Sequence, residues 1–259
     1  MKYKTCKYKA LMLDIDGTLI PYIFTALPSP TVKRAIKKAQ KNVVICLVTG
    51  RSYAFVRHLL EDLNMHSGYA VVNNGANVVN IKTEELLYDQ PIEKTDAEEV
   101  LQTLRKNNFS FYVKDEYDSK AYSEGIFSTD QKLQKAYMFF AIEEYSSETI
   151  DNLFNQLSHI PHLTLHKTHN QDPKKFGFNI SHVNATKLQG IEAIMKSLHL
   201  KQNEVIGVGD SYNDFPLLMA CGLKVAMGNA IEDLKAIADY IAPSVEEDGV
   251  ADVIEKFIL

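Results

Sequence analysis

Residues 10–19 read Ala10-Leu11-Met12-Leu13-Asp14-Ile15-Asp16-Gly17-Thr18-Leu19, and this stretch decides the fold class. Its first four residues are apolar without alternation, which is typical of a strand that is buried on both faces. Open α/β sheets bind their ligands at the carboxyl ends of such strands. We therefore expect residues 10–13 to form a strand of a parallel sheet, with Asp14 and Asp16 at its ligand-binding edge.

The pattern of apolar strand and amphipathic helix recurs through the first and last thirds of the chain. Further strands are predicted at 43–48, 69–72, 205–208 and 223–226. One helix is predicted to begin at Ser29-Pro30, and a second is predicted to carry Phe55, Leu59, Leu60 and Leu63 on one apolar face. Three more helices are predicted at 186–199, 230–238 and 249–258. Buried strands separated by helices indicate a doubly wound, Rossmann-like parallel sheet covered on both faces. The predicted fold class is α/β.

Residues 89–183 differ from the rest of the chain in composition. Lys175–Ile180 alternates as a half-exposed antiparallel strand does, and two helices are predicted near 95–106 and 147–158. Aromatic residues cluster here, and most are expected to fill a local core: Phe109, Phe111, Tyr112, Tyr117, Tyr122, Phe127, Tyr137, Phe139, Phe140 and Tyr145. We expect a smaller α+β cap domain at 89–183, inserted into a core made of 1–88 and 184–259.

Composition and charge exclude several classes of protein. The chain has 259 residues, 46% hydrophobic and 24% charged, the ordinary globular mixture. A net charge of −5 does not favour a general nucleic-acid binder. The three cysteines include no Cys-x-x-Cys, which excludes a disulfide framework and a cysteine zinc site. Since no apolar run is long enough for a signal peptide or a membrane span, we expect a cytoplasmic protein without a membrane partner.

The presence of two acids, Asp14 and Asp16, two residues apart at a strand end requires a physical explanation. Two ionised carboxylates about 4 Å apart repel by about 4 kcal/mol at an effective dielectric of about 20. A protein that keeps both carboxylates this close together needs a compensating cation, a shifted pKa or hydration of the pair. A calcium loop would need glycine and glutamate where Leu19 and Thr25 stand, so that interpretation fails.

Two later segments follow strands in the same way. Thr49-Gly50-Arg51 opens a helix, where a hydroxyl and free backbone N–H groups suit an anion. Gly207–Asp214 adds two carboxylates and an amide, and Tyr212 stands where a dinucleotide fingerprint needs glycine. Four acids at one sheet edge suit a hard, oxygen-liganded cation, and Mg²⁺ fits better than zinc.

These segments, taken in order, resemble the four motifs of the haloacid dehalogenase superfamily of phosphatases. The motifs are Asp14–Leu19, Thr49–Arg51, a lysine near a helix start, and Gly209–Asp214. Three further segments resemble the Cof-type branch: Asn73–Ala76, Ala226–Ala230 and Glu247–Ala251. That branch carries an α/β cap between its second and third motifs, where the composition of this chain changes.

The resemblance implies catalytic roles. Asp14 would be the nucleophile that forms an aspartyl-phosphate, and Asp16 the general acid and then general base. Thr49, Gly50 and adjacent amides would hold the phosphoryl oxygens. Lys187 would neutralise charge on the phosphoryl group, as cations do in phosphoryl transfer. The family usually has glycine directly after this lysine, whereas Leu188 stands here, so Lys174 and Lys175 remain alternatives.

The resemblance also implies a metal site and a substrate side. Mg²⁺ would be bound by the Asp14 side chain, the Asp16 carbonyl and Asp210, with Asp214 and Asn213 supporting them. Two residues are candidates for the cap-facing side of the pocket: Arg51 and Asn74.

The expected function is therefore that of a Mg²⁺-dependent phosphomonoester hydrolase acting on a small metabolite, such as a sugar phosphate or a phosphorylated cofactor. A phosphomutase would use the same nucleophile but return the phosphoryl group to a sugar hydroxyl. A non-catalytic regulatory protein is disfavoured because the acidic residues are intact. A membrane ion pump is excluded by the absence of apolar spans.

Overall fold

A computed structural model describes residues 7–23, 25–114, 135–169 and 174–259. The described residues form two compact units, one ending at Tyr88 and resuming at Thr186, the other comprising Asp89–Ala185. The strands are β1 (Ala10–Leu13), β2 (Val44–Val48), β3 (Tyr69–Val72), β4 (Asn77–Asn80), β5 (Leu86–Asp89), β6 (Phe111–Lys114), β7 (Met138–Ala141), β8 (Tyr145–Ser146), β9 (Leu163–His169), β10 (Lys175–His182), β11 (Val205–Gly209), β12 (Leu223–Ala226) and β13 (Tyr240–Ile241). The α-helices are α1 (Pro30–Ala39), α2 (Tyr53–Asp62), α3 (Lys94–Lys106), α4 (Ser147–Leu157), α5 (Lys187–Ser197), α6 (Phe215–Ala220), α7 (Glu232–Ala236) and α8 (Gly249–Phe257).

The first unit is built on an eight-stranded sheet in the order β13-β12-β11-β1-β2-β3-β4-β5. Strand β1 lies inside it, parallel to both neighbours, with Leu13 in register with Leu47 and with Val208. Its four residues are fully buried, because helices cover both faces of such a sheet. Strand β4 runs antiparallel to β3, beyond the parallel part of the sheet. The predicted α/β class is confirmed.

The helices of this unit show how local sequence sets their ends and buried faces. The Ser29 hydroxyl caps α1 by accepting from the Val32 N–H, and Pro30 occupies the first turn as predicted. Three residues of the predicted apolar face of α2 are buried, Leu59, Leu60 and Leu63, whereas Phe55 is only partly buried. Tyr53 and Val56 are buried as well. Because α2 begins at Tyr53, the helical repeat carries its inner face through residues 56, 59 and 60. Within the described ranges no helix is both long and apolar enough to cross a membrane.

The second unit has its own antiparallel sheet, in the order β6-β7-β10-β8, with β9 also paired to β10. The alternating segment predicted as a strand forms the start of β10. Helices α3 and α4 contribute to a core in which Phe178 packs edge-on against Phe109, with ring centroids 5.5 Å apart. The separate sheet is consistent with the predicted α+β module. Three of its predicted core aromatics lie outside the described residues: Tyr117, Tyr122 and Phe127.

Candidate active site

The carboxyl ends of neighbouring parallel strands bring the candidate residues together. Asp14 follows β1, Thr49 follows β2 and Asp210 follows β11. The Asp14 N–H donates to the Val208 carbonyl at 3.0 Å, so the backbone ladder extends to the acid itself. The three side chains are buried, with 5%, 1% and 3% of their residue surfaces exposed. Residues that are far apart in the chain thus meet at one edge of the sheet.

Three carboxylates and one ammonium form the centre of the site. Asp14, Asp210 and Asp214, here called the carboxylate trio, each place an oxygen within 4.8 Å of the others. The Lys187 Nζ lies 2.6 Å from Asp14 Oδ1 and 2.6 Å from Asp214 Oδ1. With all four groups ionised the cluster has a net charge of −2. The alternative lysines, Lys174 and Lys175, are exposed residues of the second unit.

Burial and charge repulsion perturb the acids of the trio. Burial, reinforced by the nearby Asp214 and Asp210 carboxylates, raises the pKa of Asp14 well above its usual value, although Lys187 opposes the shift. Burial also raises the pKa of Asp210 to about 6. Burial alone lowers the pKa of Lys187, but the adjacent carboxylates outweigh it and the net direction is upward. The lysine therefore stays charged, and the raised pKa values of Asp14 and Asp210 reflect the cost of holding several carboxylates in one buried site.

Asp214 also shapes the loop that follows β11. Its Oδ2 accepts hydrogen bonds from the backbone N–H groups of Asp210 and Ser211, each at 3.0 Å. A β-carbon on Gly209 would lie 2.5 Å from the Asp214 side chain, so only glycine fits there. Asn213, predicted to support the metal site, has an exposed side chain that makes no hydrogen bond to any described residue. Its predicted role gains no support from the geometry.

The Asp16 carboxylate lies outside the trio and pairs with Arg51. The Arg51 Nε donates to Asp16 Oδ2 at 2.7 Å, and Nη2 contacts Oδ1. The guanidinium also stacks over the Phe55 ring, 3.7 Å from its centroid. A planar cation fixed on both sides orients the carboxylate more firmly than a lysine would. This contact also accounts for the partial exposure of Phe55.

A strained turn joins the loop after β2 to the helix that carries Lys187. The Asn74 N–H donates to the Thr49 carbonyl at 3.2 Å, and the Thr49 hydroxyl accepts from the Arg51 N–H at 3.1 Å. Three consecutive residues have left-handed φ angles of 51°, 57° and 101°: Asn73, Asn74 and Gly75. A β-carbon on Gly75 would lie 2.0 Å from the Thr186 carbonyl oxygen, beside the first residue of α5. Such strain is typical of segments whose geometry serves a site.

Three contacts of the site were not predicted from the sequence. The Thr18 hydroxyl donates to Asp210 Oδ1 at 3.0 Å, and the Tyr22 hydroxyl donates to Asp210 Oδ2 at 2.5 Å. The Asn229 side chain donates to the Gly17 carbonyl at 2.8 Å. Thr18 and Asn229 stand inside segments that the sequence already singled out. No sequence pattern pointed to Tyr22 as a site residue, because it lies in an irregular segment whose backbone path cannot be predicted from the sequence.

The fold and the site together define a class of α/β protein with a buried acid cluster at the strand ends. The sequence model of the haloacid dehalogenase-like hydrolase family matches residues 11–254, nearly the whole chain. The chain therefore belongs to the haloacid dehalogenase-like hydrolase family, and the predicted family is confirmed.

Curated relatives and a solved structure agree with this assignment. The chain is 29% identical to the 5-amino-6-(5-phospho-D-ribitylamino)uracil phosphatase YcsE of Bacillus subtilis, over 97% of this chain and 96% of that protein. It is 27% identical to phosphoglycolate phosphatase 1 of Saccharolobus solfataricus, over 96% of both chains. A haloacid dehalogenase-like hydrolase from Bacteroides thetaiotaomicron has the same fold, with a TM-score of 0.79 at 22% identity over 96% of this chain and 99% of that chain. The predicted enzyme class, a phosphatase, is confirmed by these relatives.

Proposed function

We propose that this protein is a Mg²⁺-dependent phosphomonoester hydrolase that acts on small phosphorylated metabolites. The observation that carries the proposal is the carboxylate trio with Lys187 between two of its members. The relatives support the reaction, since one is named for a phosphorylated ribityl compound and another for phosphoglycolate. A sugar phosphate or a phosphorylated cofactor is the proposed substrate class.

The donor set fits a hard divalent cation. The trio offers oxygen ligands alone, and its excess negative charge is what a 2+ ion compensates. Asp14 and Asp210 would hold Mg²⁺ together with the Asp16 carbonyl, and Asp214 would orient the loop that carries Asp210. When bound, the ion polarises a phosphoryl oxygen and neutralises charge there.

Asp14 is the proposed nucleophile. One of its oxygens forms a bond to phosphorus while the bond from phosphorus to the ester oxygen breaks, leaving an aspartyl-phosphate. Asp16 donates a proton to the departing oxygen and then accepts one from the water that hydrolyses the intermediate. The Asp16 carboxylate lies outside the trio and accepts hydrogen bonds from Arg51. Because an ionised carboxylate only accepts, the acid step requires Asp16 to turn from Arg51 and carry a proton when the substrate is bound. The products are the dephosphorylated alcohol and inorganic phosphate.

Lys187 and the loop after β2 are the proposed phosphoryl-binding groups. The Lys187 ammonium has three N–H donors, and two are engaged by Asp14 and Asp214. Its third donor is available for a phosphoryl oxygen. The Thr49 hydroxyl and the N–H of Gly50, just before α2, would donate to the other oxygens.

Release of inorganic phosphate from a panel of phosphorylated metabolites tests the proposal, with Mg²⁺ and with EDTA. We expect Mg²⁺-dependent release from the wild type and at least a thousandfold loss in Asp14→Asn. Asp151→Asn, which changes an exposed aspartate of the second unit, is the matched control and should keep full activity. Absence of metal-dependent release, or an active Asp14→Asn variant, contradicts the proposal. An isomeric sugar phosphate accumulating in place of phosphate identifies a mutase instead.

A further inference from the structure

Tyr22 makes an unusual contact for a surface residue. It keeps 66% of its surface exposed, yet its hydroxyl donates to Oδ2 of the buried Asp210 at 2.5 Å. The phenol is therefore tied to the edge of the carboxylate trio by its hydroxyl, although little of its ring is buried.

The two oxygens of Asp210 are held by donors from one short segment. Thr18 donates to Oδ1 and Tyr22 to Oδ2. A carboxylate has about four acceptor positions, so one hydrogen bond per oxygen leaves a position free on each for a cation. The two hydrogen bonds restrict rotation of the carboxylate plane. The Asp210 side chain is thus oriented without being blocked.

The backbone at Gly17 is shaped to admit this arrangement. Gly17 has a φ of +80°, and a β-carbon there would lie 2.3 Å from Asp210 Oδ2 and 2.4 Å from a ring carbon of Tyr22. The ring and the carboxylate therefore both approach the bare α-carbon of Gly17. This close approach is a second observation, independent of the hydrogen bond, that Tyr22 and Asp210 form one built unit.

We propose that Tyr22 is a positioning residue that orients Asp210 for binding of the divalent cation. This inference rests on the proposed function, because it assumes that Asp210 is a metal ligand. Groups that hydrogen-bond to metal ligands fix their orientation, and losing one typically costs about 10–100-fold in metal affinity. The opposite role, a hydroxyl that competes with the ion for Oδ2, predicts tighter binding when the hydroxyl is removed.

Calorimetric titration of the full-length protein with Mg²⁺ tests the inference without measuring turnover. We expect Tyr22→Phe, which keeps the ring and removes only the hydroxyl, to bind Mg²⁺ at least about tenfold more weakly than the wild type. Tyr240→Phe is the matched control, since that hydroxyl donates to Asp252 Oδ2 at 2.6 Å in the same unit but outside the trio. Its Mg²⁺ affinity should equal that of the wild type.

Thermal unfolding separates the role in metal binding from a merely structural one. In EDTA the Tyr22→Phe midpoint should fall only slightly, because one hydrogen bond from a partly exposed hydroxyl is lost. Its rise on adding Mg²⁺ should be smaller than that of the wild type. Equal affinity in Tyr22→Phe and wild type, or tighter binding in the variant, overturns the inference but leaves the proposed function intact. A wild type that binds no Mg²⁺ overturns both.

Discussion

Replacing Lys187 with methionine removes the ammonium that lies between two carboxylates of the trio. At a separation of 2.6 Å and an effective dielectric of about 20, each ion pair is worth about 6 kcal/mol of Coulomb energy. Part of this energy offsets the cost of burying the charges. Removing one partner of a buried pair therefore costs a net of about 3–5 kcal/mol. We expect Lys187→Met to lose that much stability in the absence of metal.

We expect the Lys187→Met variant to lose activity even under conditions in which it is fully folded. A donor lost from a charge-stabilising site typically lowers kcat by about 10²–10³. Steady-state phosphate release measures this loss, and urea denaturation with and without Mg²⁺ measures stability. Lys196→Met, an exposed lysine of the last turn of α5, is the matched control and should resemble the wild type in both assays.

A double-variant cycle identifies the origin of the stability loss. Asp214→Asn removes one carboxylate that Lys187 contacts, so the double variant should lose less stability than the sum of the two single variants, by at least about 1 kcal/mol. Strict additivity would mean that the two groups do not interact. A Lys187→Met protein within about 1 kcal/mol of the wild type, with kcat within threefold, would refute the electrostatic account of the site.

Three further predictions follow from burial and backbone geometry. Burial raises the pKa of Asp14, and that of Asp210 to about 6, so the folded protein retains protons that the unfolded chain releases above about pH 4. Denaturation in EDTA should therefore show stability falling between about pH 4 and 6, less steeply in Asp210→Asn; stability rising across that window contradicts this. Gly75→Ala should lower the free energy of unfolding measured in urea by at least about 2 kcal/mol and reduce turnover, because its β-carbon would meet the Thr186 carbonyl oxygen at 2.0 Å with φ at +101°; an unchanged free energy refutes it. Phe178→Ala should cost about 3–5 kcal/mol by the same measurement, because the ring is fully buried, and a loss under 1 kcal/mol would be inconsistent with that packing.

The sequence was sufficient to predict the sheet and the convergence of its acids. Short unbroken apolar runs such as Ala10–Leu13, bounded by turn residues and separated by helical patterns, are typical of strands covered on both faces. Once those strands are parallel neighbours, Asp14 and Asp210 must lie at the same edge whatever the loops between them do. The trio is thus a consequence of topology, which is why it could be expected without coordinates.

Contacts that depend on the path of a loop could not be predicted from the sequence. The pairing of Arg51 with Asp16 and the contact of Tyr22 with Asp210 are set by backbone turns around Gly17 and Gly50 rather than by periodicity. The partial exposure of Phe55 has a related cause. Its ring stacks on the Arg51 guanidinium, a contact that its place in an apolar helical pattern does not predict.

The pairing of β1 with β11 has a consequence for biosynthesis. Ala10 is in register with Val205, so the strand that ends at Asp14 pairs with a segment that the ribosome synthesises nearly two hundred residues later. Until then one edge of β1 has no partner strand, and unpaired apolar edges are sites of aggregation. Nascent chains that stop before β11 are therefore expected to depend on chaperones, and no shortened form that lacks the last third can assemble a working catalyst.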